Sequence, residues 1–286
     1  MKALSKRFIE ATATVPIFRS TYEACGVIGR LLLQVRGHAR FMTEAKNLDE
    51  ETLELACQLF PDRTVMDGPF RGMQYPSFQS AGSALLPKLL GSYESELHHV
   101  ICDLSHKDFG TIVDIGCAEG YYAIGAALLW KDATIYAYEM DPSARNACAR
   151  MAELNGVSAR VHMMGKCEQS ALLALPLESP SLIIADCEGY EKHLFTESSV
   201  ARLSKHDFII ELHDFIDIEI SPELKKVFSK THDVSSILSV DDLQKVHQYK
   251  SPLLDTLSKK QARVVLNERR PCVMEWLVAR SRVWAH

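Results

Sequence analysis

From Thr111 onward the chain repeats one pattern, a short apolar or β-branched run followed by a helical stretch. That alternation is the signature of βαβ units and so of a mostly parallel sheet. The spacing predicts strands at residues 111–115, 134–138, 160–163, 182–185 and 208–212. Helices are predicted at 119–130, 142–155, 169–173 and 190–203. The second of these has the plainest ends, with Asp141 at the N-cap, Pro142 at the first helical position and Gly156 just past the last turn. After Asp214 the pattern weakens to helices at 223–229, 241–247 and 254–264 and a closing strand at 274–279.

Ahead of this domain, residues 14–60 read as helical, and residues 67–91 are punctuated by Gly68, Pro69, Gly72, Pro76, Gly82, Pro87 and Gly91. The expected organisation is a helical unit over 1–66, a lid or junction over 67–105 and the main domain over 106–286. The net charge of −5 offers no global attraction to nucleic acid or anionic lipid. The apolar runs are too short to span a bilayer, and no signal-peptide core follows Met1. Eight cysteines without a CxxC pair suit reduced thiols and a cytoplasmic location.

In an open parallel sheet, ligands bind at the carboxyl ends of the strands, beside the first strand. That places Asp114-Ile115-Gly116-Cys117-Ala118-Glu119-Gly120 at the expected site. Gly116 and Gly120 permit tight turning and close approach of a ligand, and Ala118 is nearly as small. A dinucleotide fingerprint, GxGxxG, needs a glycine two residues after Gly116, at position 118, and a pyrophosphate at the helix start. Here alanine stands at 118 and an acid follows. S-adenosylmethionine carries a sulfonium and an ammonium and no phosphate, so an acidic loop suits it better. Glu139, at the end of the second strand, is placed to accept hydrogen bonds from both ribose hydroxyls. Gly165-Lys166-Cys167 follows the third strand where a loop would flank the adenine.

Three segments, Asp114 to Tyr122, Asp186-Cys187-Glu188-Gly189-Tyr190-Glu191 and Ile209-Ile210-Glu211-Leu212-His213, together resemble the class I S-adenosylmethionine-dependent methyltransferases, and within them the FkbM-like group. Ala118 and Cys187 depart from that group, which commonly has Asn at the first position and Val or Ile at the second. The resemblance runs from about Tyr93 to Asp214. It implies an α/β, Rossmann-like class I methyltransferase fold: a mostly parallel seven-stranded sheet with helices on both faces, here with a helical N-terminal extension. It also implies O-methylation of a hydroxyl on a sugar, glycan or natural-product small molecule, with S-adenosylhomocysteine as product.

Cofactor contacts are expected from Asp114, Gly116, Cys117, Ala118, Gly120, Tyr121, Glu139, Met140, Lys166, Cys167 and Asp186. Asp186, Glu211 and His213 are the expected catalytic residues, with His213 as base because a hydroxyl is a poor nucleophile. No metal is assigned, although Asp186 with Glu211 or Asp214 could hold Mg²⁺. Arg269 and Arg270 could grip an acidic substrate, but a solvated charge run is the commoner outcome. Phe70, Tyr75, Phe78 and Tyr93 could roof the pocket or pack in the core. Two other classes stay open: a nicotinamide-dependent oxidoreductase on the same βαβ unit, and a non-catalytic cofactor-binding protein.

Overall fold

The computed structural model describes residues 50–284. Of the expected N-terminal helical unit, residues 50–66 fall among them, as α1 (Glu50–Leu59) and a non-helical stretch after it, and residues 1–49 lie outside the described residues. Next come α2 (Leu85–Leu90) and α3 (His98–Leu104). The alternating part then runs β1 (Thr111–Ile115), α4 (Tyr121–Leu129), β2 (Thr134–Tyr138), α5 (Pro142–Leu154), β3 (Val161–Met164), α6 (Gln169–Ala174) and β4 (Ser181–Ala185). It continues with α7 (Glu191–Leu194), α8 (Glu197–Arg202), β5 (Asp207–Leu212), α9 (Ile220–Phe228) and β6 (His232–Leu238). The last elements are α10 (Asp242–Gln248), α11 (Pro252–Asp255), α12 (Lys259–Leu266) and β7 (Glu275–Ser281).

The seven strands form one sheet in the order β3-β2-β1-β4-β5-β7-β6. The first five run parallel, and β7 lies antiparallel between β5 and β6. This is the mostly parallel, seven-stranded Rossmann-like sheet expected from the sequence. Alternate residues on each strand explain the two covered faces. Ile112, Ile135, Ile184 and Val278 join one apolar cluster with Ala123, Ile124, Cys148 and Met151 of α4 and α5. Val113, Ile183, Ile210 and Leu277 join the other, with Leu172, Leu194, Val200 and Leu224 of α6 to α9. Both faces are buried, so the central strands read as continuous apolar runs.

Two departures have local causes. The stretch 190–203 is two helices because Thr196 caps a new one, its Oγ1 accepting from the Ser199 amide. The stretch 254–264 likewise restarts at the Ser258–Gln261 capping box. Strand β6, which pairs only with β7, was not foreseen. Its sequence, HDVSSIL, is largely exposed on both faces and lacks an apolar run.

Residues 60–104 pack into the first cluster: Phe60, Val65, Phe70, Met73 and Tyr75 share it with Ile112 and Ile124. Phe70 sits against the backbone of α4 so closely that a methyl on Gly125 would lie 2.4 Å from its ring. Phe70 and Tyr75 are core residues.

Candidate functional site

Strand β1 pairs with β2 on one side and β4 on the other, so the order of the sheet reverses beside it. The crevice at such a reversal is where ligands of these sheets bind. Gly116 and Cys117 donate their amides to the Tyr138 carbonyl, both at 2.9 Å, tying the loop after β1 to the end of β2. Gly116 adopts φ 86°, and a methyl group there would fall 1.7 Å from the Asp186 carbonyl oxygen. Glycine is thus required twice over, by conformation and by space. Ala118 also has positive φ, 48°, which brings its amide to Oε2 of Glu139 at 3.0 Å. Oε1 of Glu139 accepts from the Asp141 amide at 2.7 Å. Each carboxylate oxygen retains acceptor capacity for a further donor.

Asp114 is buried, and its Oδ2 has no hydrogen-bond partner. Burial, followed by the nearby Asp186 carboxylate, pushes its pKa up to about 8. Beside the glycine turn the protein thus holds a buried carboxyl group with one unsatisfied oxygen, suited to a cationic neighbour.

Glu119 does something other than expected. Its carboxylate is buried in an ion pair with Lys88 at 2.5 Å and accepts from Ser80 Oγ at 2.8 Å and the Ala81 amide at 2.9 Å. Its charge is neutralised and faces the segment before β1, so it does not repel an anion at the start of α4. Tyr121 and Cys117 belong to the apolar core: Tyr121 packs edge-on against Phe70 and Tyr93, and Cys117 stands beside Cys148. Only the backbone of Cys117 is available to the crevice. Met140 is 68% exposed beyond β2. Lys166 pairs with Glu168 at 2.6 Å and lies over the Tyr190 ring, while Cys167 is buried against the second cluster.

On the other side of β1, the ends of β4 and β5 bring together Asp186, Glu188, Glu191, Glu211 and His213. His213 is buried, with Nδ1 at 2.6 Å from Oε1 of the fully buried Glu191. Its Nε2 faces Oδ1 of Asp186 at 3.4 Å and Oε2 of Glu188 at 3.6 Å. Burial alone would disfavour the charged ring, but Asp186 and Glu191 outweigh it and lift the His213 pKa to about 11. With carboxylates at both nitrogens, His213 has no basic lone pair free at neutral pH. The residue expected to act as base is thus held in an ion-paired form. Glu211 is buried and shifted well upward by desolvation and by Asp186.

Arg270 is the residue whose role sequence reasoning missed. It does not await a substrate: its Nε, Nη1 and Nη2 are taken by Glu268 at 2.9 Å, Glu211 at 2.5 Å and Glu94 at 2.6 Å. Lys245 extends the network to Glu268 and to Glu96. Its three carboxylate partners are far apart in sequence, so no local signal announces this web. Asp214, also weighed for a metal, uses Oδ1 to accept from the Ser221 amide at the start of α9.

No protein-family model matches the chain. No curated protein matches it either. Among solved structures, the O-methyltransferase TomG from Streptomyces achromogenes, in complex with SAM, is 13% identical, covering 85% of this chain and 95% of its own, with a TM-score of 0.45. Cofactor-bound Rv0187 from MTB is 11% identical over 82% of this chain and 91% of its own, TM-score 0.46. A putative O-methyltransferase from Klebsiella pneumoniae is 13% identical over 67% of this chain and 81% of its own, TM-score 0.45.

Proposed function

We propose that this chain is an S-adenosylmethionine-dependent methyltransferase of the FkbM-like kind, acting on a hydroxyl of a sugar, glycan or natural-product small molecule. The observation that carries the reading is the pairing of two acids around one glycine turn. Glu139 is fixed by the Ala118 and Asp141 amides where a ribose would lie, and Asp114 keeps an unsatisfied buried oxygen beside it. S-adenosylmethionine fits that pair, having ribose hydroxyls to donate to Glu139 and positive charge to relieve Asp114. When bound it supplies an electrophilic methyl group on a sulfonium.

The protein's own task is then to hold donor and acceptor in line and exclude water. Gly116, pressed against the Asp186 backbone, lets the loop after β1 lie against the end of β4. Asp186, Glu188 and Glu211 make the acceptor side acidic, which disfavours an anionic acceptor and suits a neutral, hydroxyl-bearing one. Arg270 does not offset that acidity for a substrate, because three carboxylates already share its charge. Phe215, Ile216 and Ile218, all exposed just beyond β5, add an apolar rim for the acceptor's carbon skeleton.

Calorimetric titration with S-adenosylhomocysteine and, separately, with NAD tests the reading. The homocysteine nucleoside is expected to bind, and Glu139→Ala to weaken it by about 1.5–3 kcal/mol, the scale of hydrogen bonds to a charged group. Binding of NAD without any response to the homocysteine nucleoside would return the site to the oxidoreductase class.

A further inference from the structure

We propose that Asp186, Glu211 and His213 bind a divalent first-row transition-metal ion, Mn²⁺ or Zn²⁺, at the acceptor end of the crevice. One ligand atom from each of the three lies within 4.8 Å of the other two. They stand at the carboxyl ends of the adjacent strands β4 and β5. His213 Nε2 and Asp186 Oδ1 are 3.4 Å apart. Neighbouring ligands about 2.1 Å from a shared ion stand roughly 3.0–3.4 Å apart. The gap is that of two ligands around an ion.

Two further observations point to a cation independently of that clustering. Oδ1 of Asp186 is shielded from solvent and makes no well-formed hydrogen bond, the group facing it being His213 Nε2 at 3.4 Å. Buried polar atoms in this condition are rare and call for a partner. The second observation is Glu191, fully buried and outside the proposed ligand set, which accepts from Nδ1 of His213 at 2.6 Å. Metal-bound histidines characteristically give their other ring N–H to a carboxylate, which fixes the tautomer and turns the remaining lone pair toward the ion. Here the other nitrogen, Nε2, faces Asp186, and an ion binding there displaces its proton. Arg270, by taking Oε1 of Glu211, orients that carboxylate and leaves its second oxygen for the ion.

The donor set selects the ion. Mg²⁺ and Ca²⁺ prefer oxygen alone, whereas one imidazole with two carboxylates suits Mn²⁺ or Zn²⁺. Binding of the ion does not depend on methyl transfer. Its use does: polarising an acceptor hydroxyl so that it becomes a competent nucleophile rests on the function proposed above.

The test uses the full chain, free of any affinity tag and dialysed against chelator. Mn²⁺ titration is followed by electron paramagnetic resonance, Zn²⁺ is added as competitor, and S-adenosylhomocysteine affinity is measured on the same samples. One saturable Mn²⁺ per chain, displaced by Zn²⁺, is expected. Asp186→Asn and His213→Ala should each weaken it at least about tenfold, and Glu191→Gln by roughly 10- to 100-fold. Circular dichroism establishes that each variant is folded. A wild-type chain that binds neither ion saturably overturns the proposal without recourse to any variant, as does binding unchanged in folded Asp186→Asn. Mn²⁺ binding without nucleoside binding keeps the metal site and sinks the methyltransferase reading. Nucleoside binding without metal binding does the reverse.

Discussion

At the scale of single residues, the candidate site depends on positions where a side chain or its absence is dictated by a neighbour's backbone. Gly116→Ala would force φ 86° on a residue with a β-carbon and place that carbon 1.7 Å from the Asp186 carbonyl. A loss of stability on the order of 3 kcal/mol is expected in urea unfolding, in the range of strained or overpacked substitutions. Gly165→Ala is the control, since nothing lies within 4 Å of the added carbon. It should change stability by no more than about 0.5 kcal/mol. Both glycines looked alike in the sequence, as small residues in loops at strand ends. Only the strand order of the sheet, which sets Gly116 against Asp186, separates them.

At the scale of elements, the join between the segment before β1 and the loop after it rests on a buried ion pair. Lys88, in α2, and Glu119, at the start of α4, are each almost inaccessible, and Tyr93 and Tyr121 present their rings to the ammonium at 5.0 Å and 5.4 Å. Removing one partner leaves a buried charge uncompensated, which typically costs about 3–5 kcal/mol. Lys88→Met should therefore be strongly destabilising by chemical denaturation. The double variant Lys88→Met with Glu119→Gln should recover most of the loss. If both variants matched the parent, the pair would contribute nothing to the join. Glu119 was legible as an acid in the cofactor loop, but its direction was not. Its partner lies 31 residues away, in a stretch whose turn-rich composition suggested a lid.

At the scale of the whole molecule, two buried histidines fasten the edge of the sheet opposite the crevice. His206 Nδ1 accepts from the Ser181 amide at 3.2 Å, and His232 Nε2 donates to the His206 carbonyl at 3.0 Å, linking the starts of β4, β5 and β6. Burial holds both pKa values below the usual 6.5 and outweighs the nearby Asp207 carboxylate. A group whose folded pKa is depressed contributes stability that is fully present above its unfolded pKa and is lost as pH falls. The share of stability that these two histidines carry should accordingly fall from pH 7.5 toward pH 5, against the opposite trend of groups held high, such as Asp114 and His213. His232→Gln, which keeps a donor but cannot be protonated, should remove its part of that fall from the slope of urea midpoint against pH. An unaltered slope in the variant would assign the acid sensitivity to carboxylates instead.

The sequence by itself determined the alternating architecture, the first five strands nearly to the residue, and the glycine turn with Glu139 at one βαβ unit's distance. Those features are written in local periodicity, in capping residues such as Asp141 and in positions counted along one chain segment. Tertiary structure alone decided which groups remain free to act. It paired Glu119 with Lys88, enclosed Tyr121 and Cys117 in the core, saturated Arg270 with three carboxylates and set His213 between Asp186 and Glu191. Strand β6 also became a strand only by pairing with β7. The reason is common to all of these. Charge pairing, burial and edge pairing depend on distances between residues remote in sequence, and such distances exist only once the sheet has assembled.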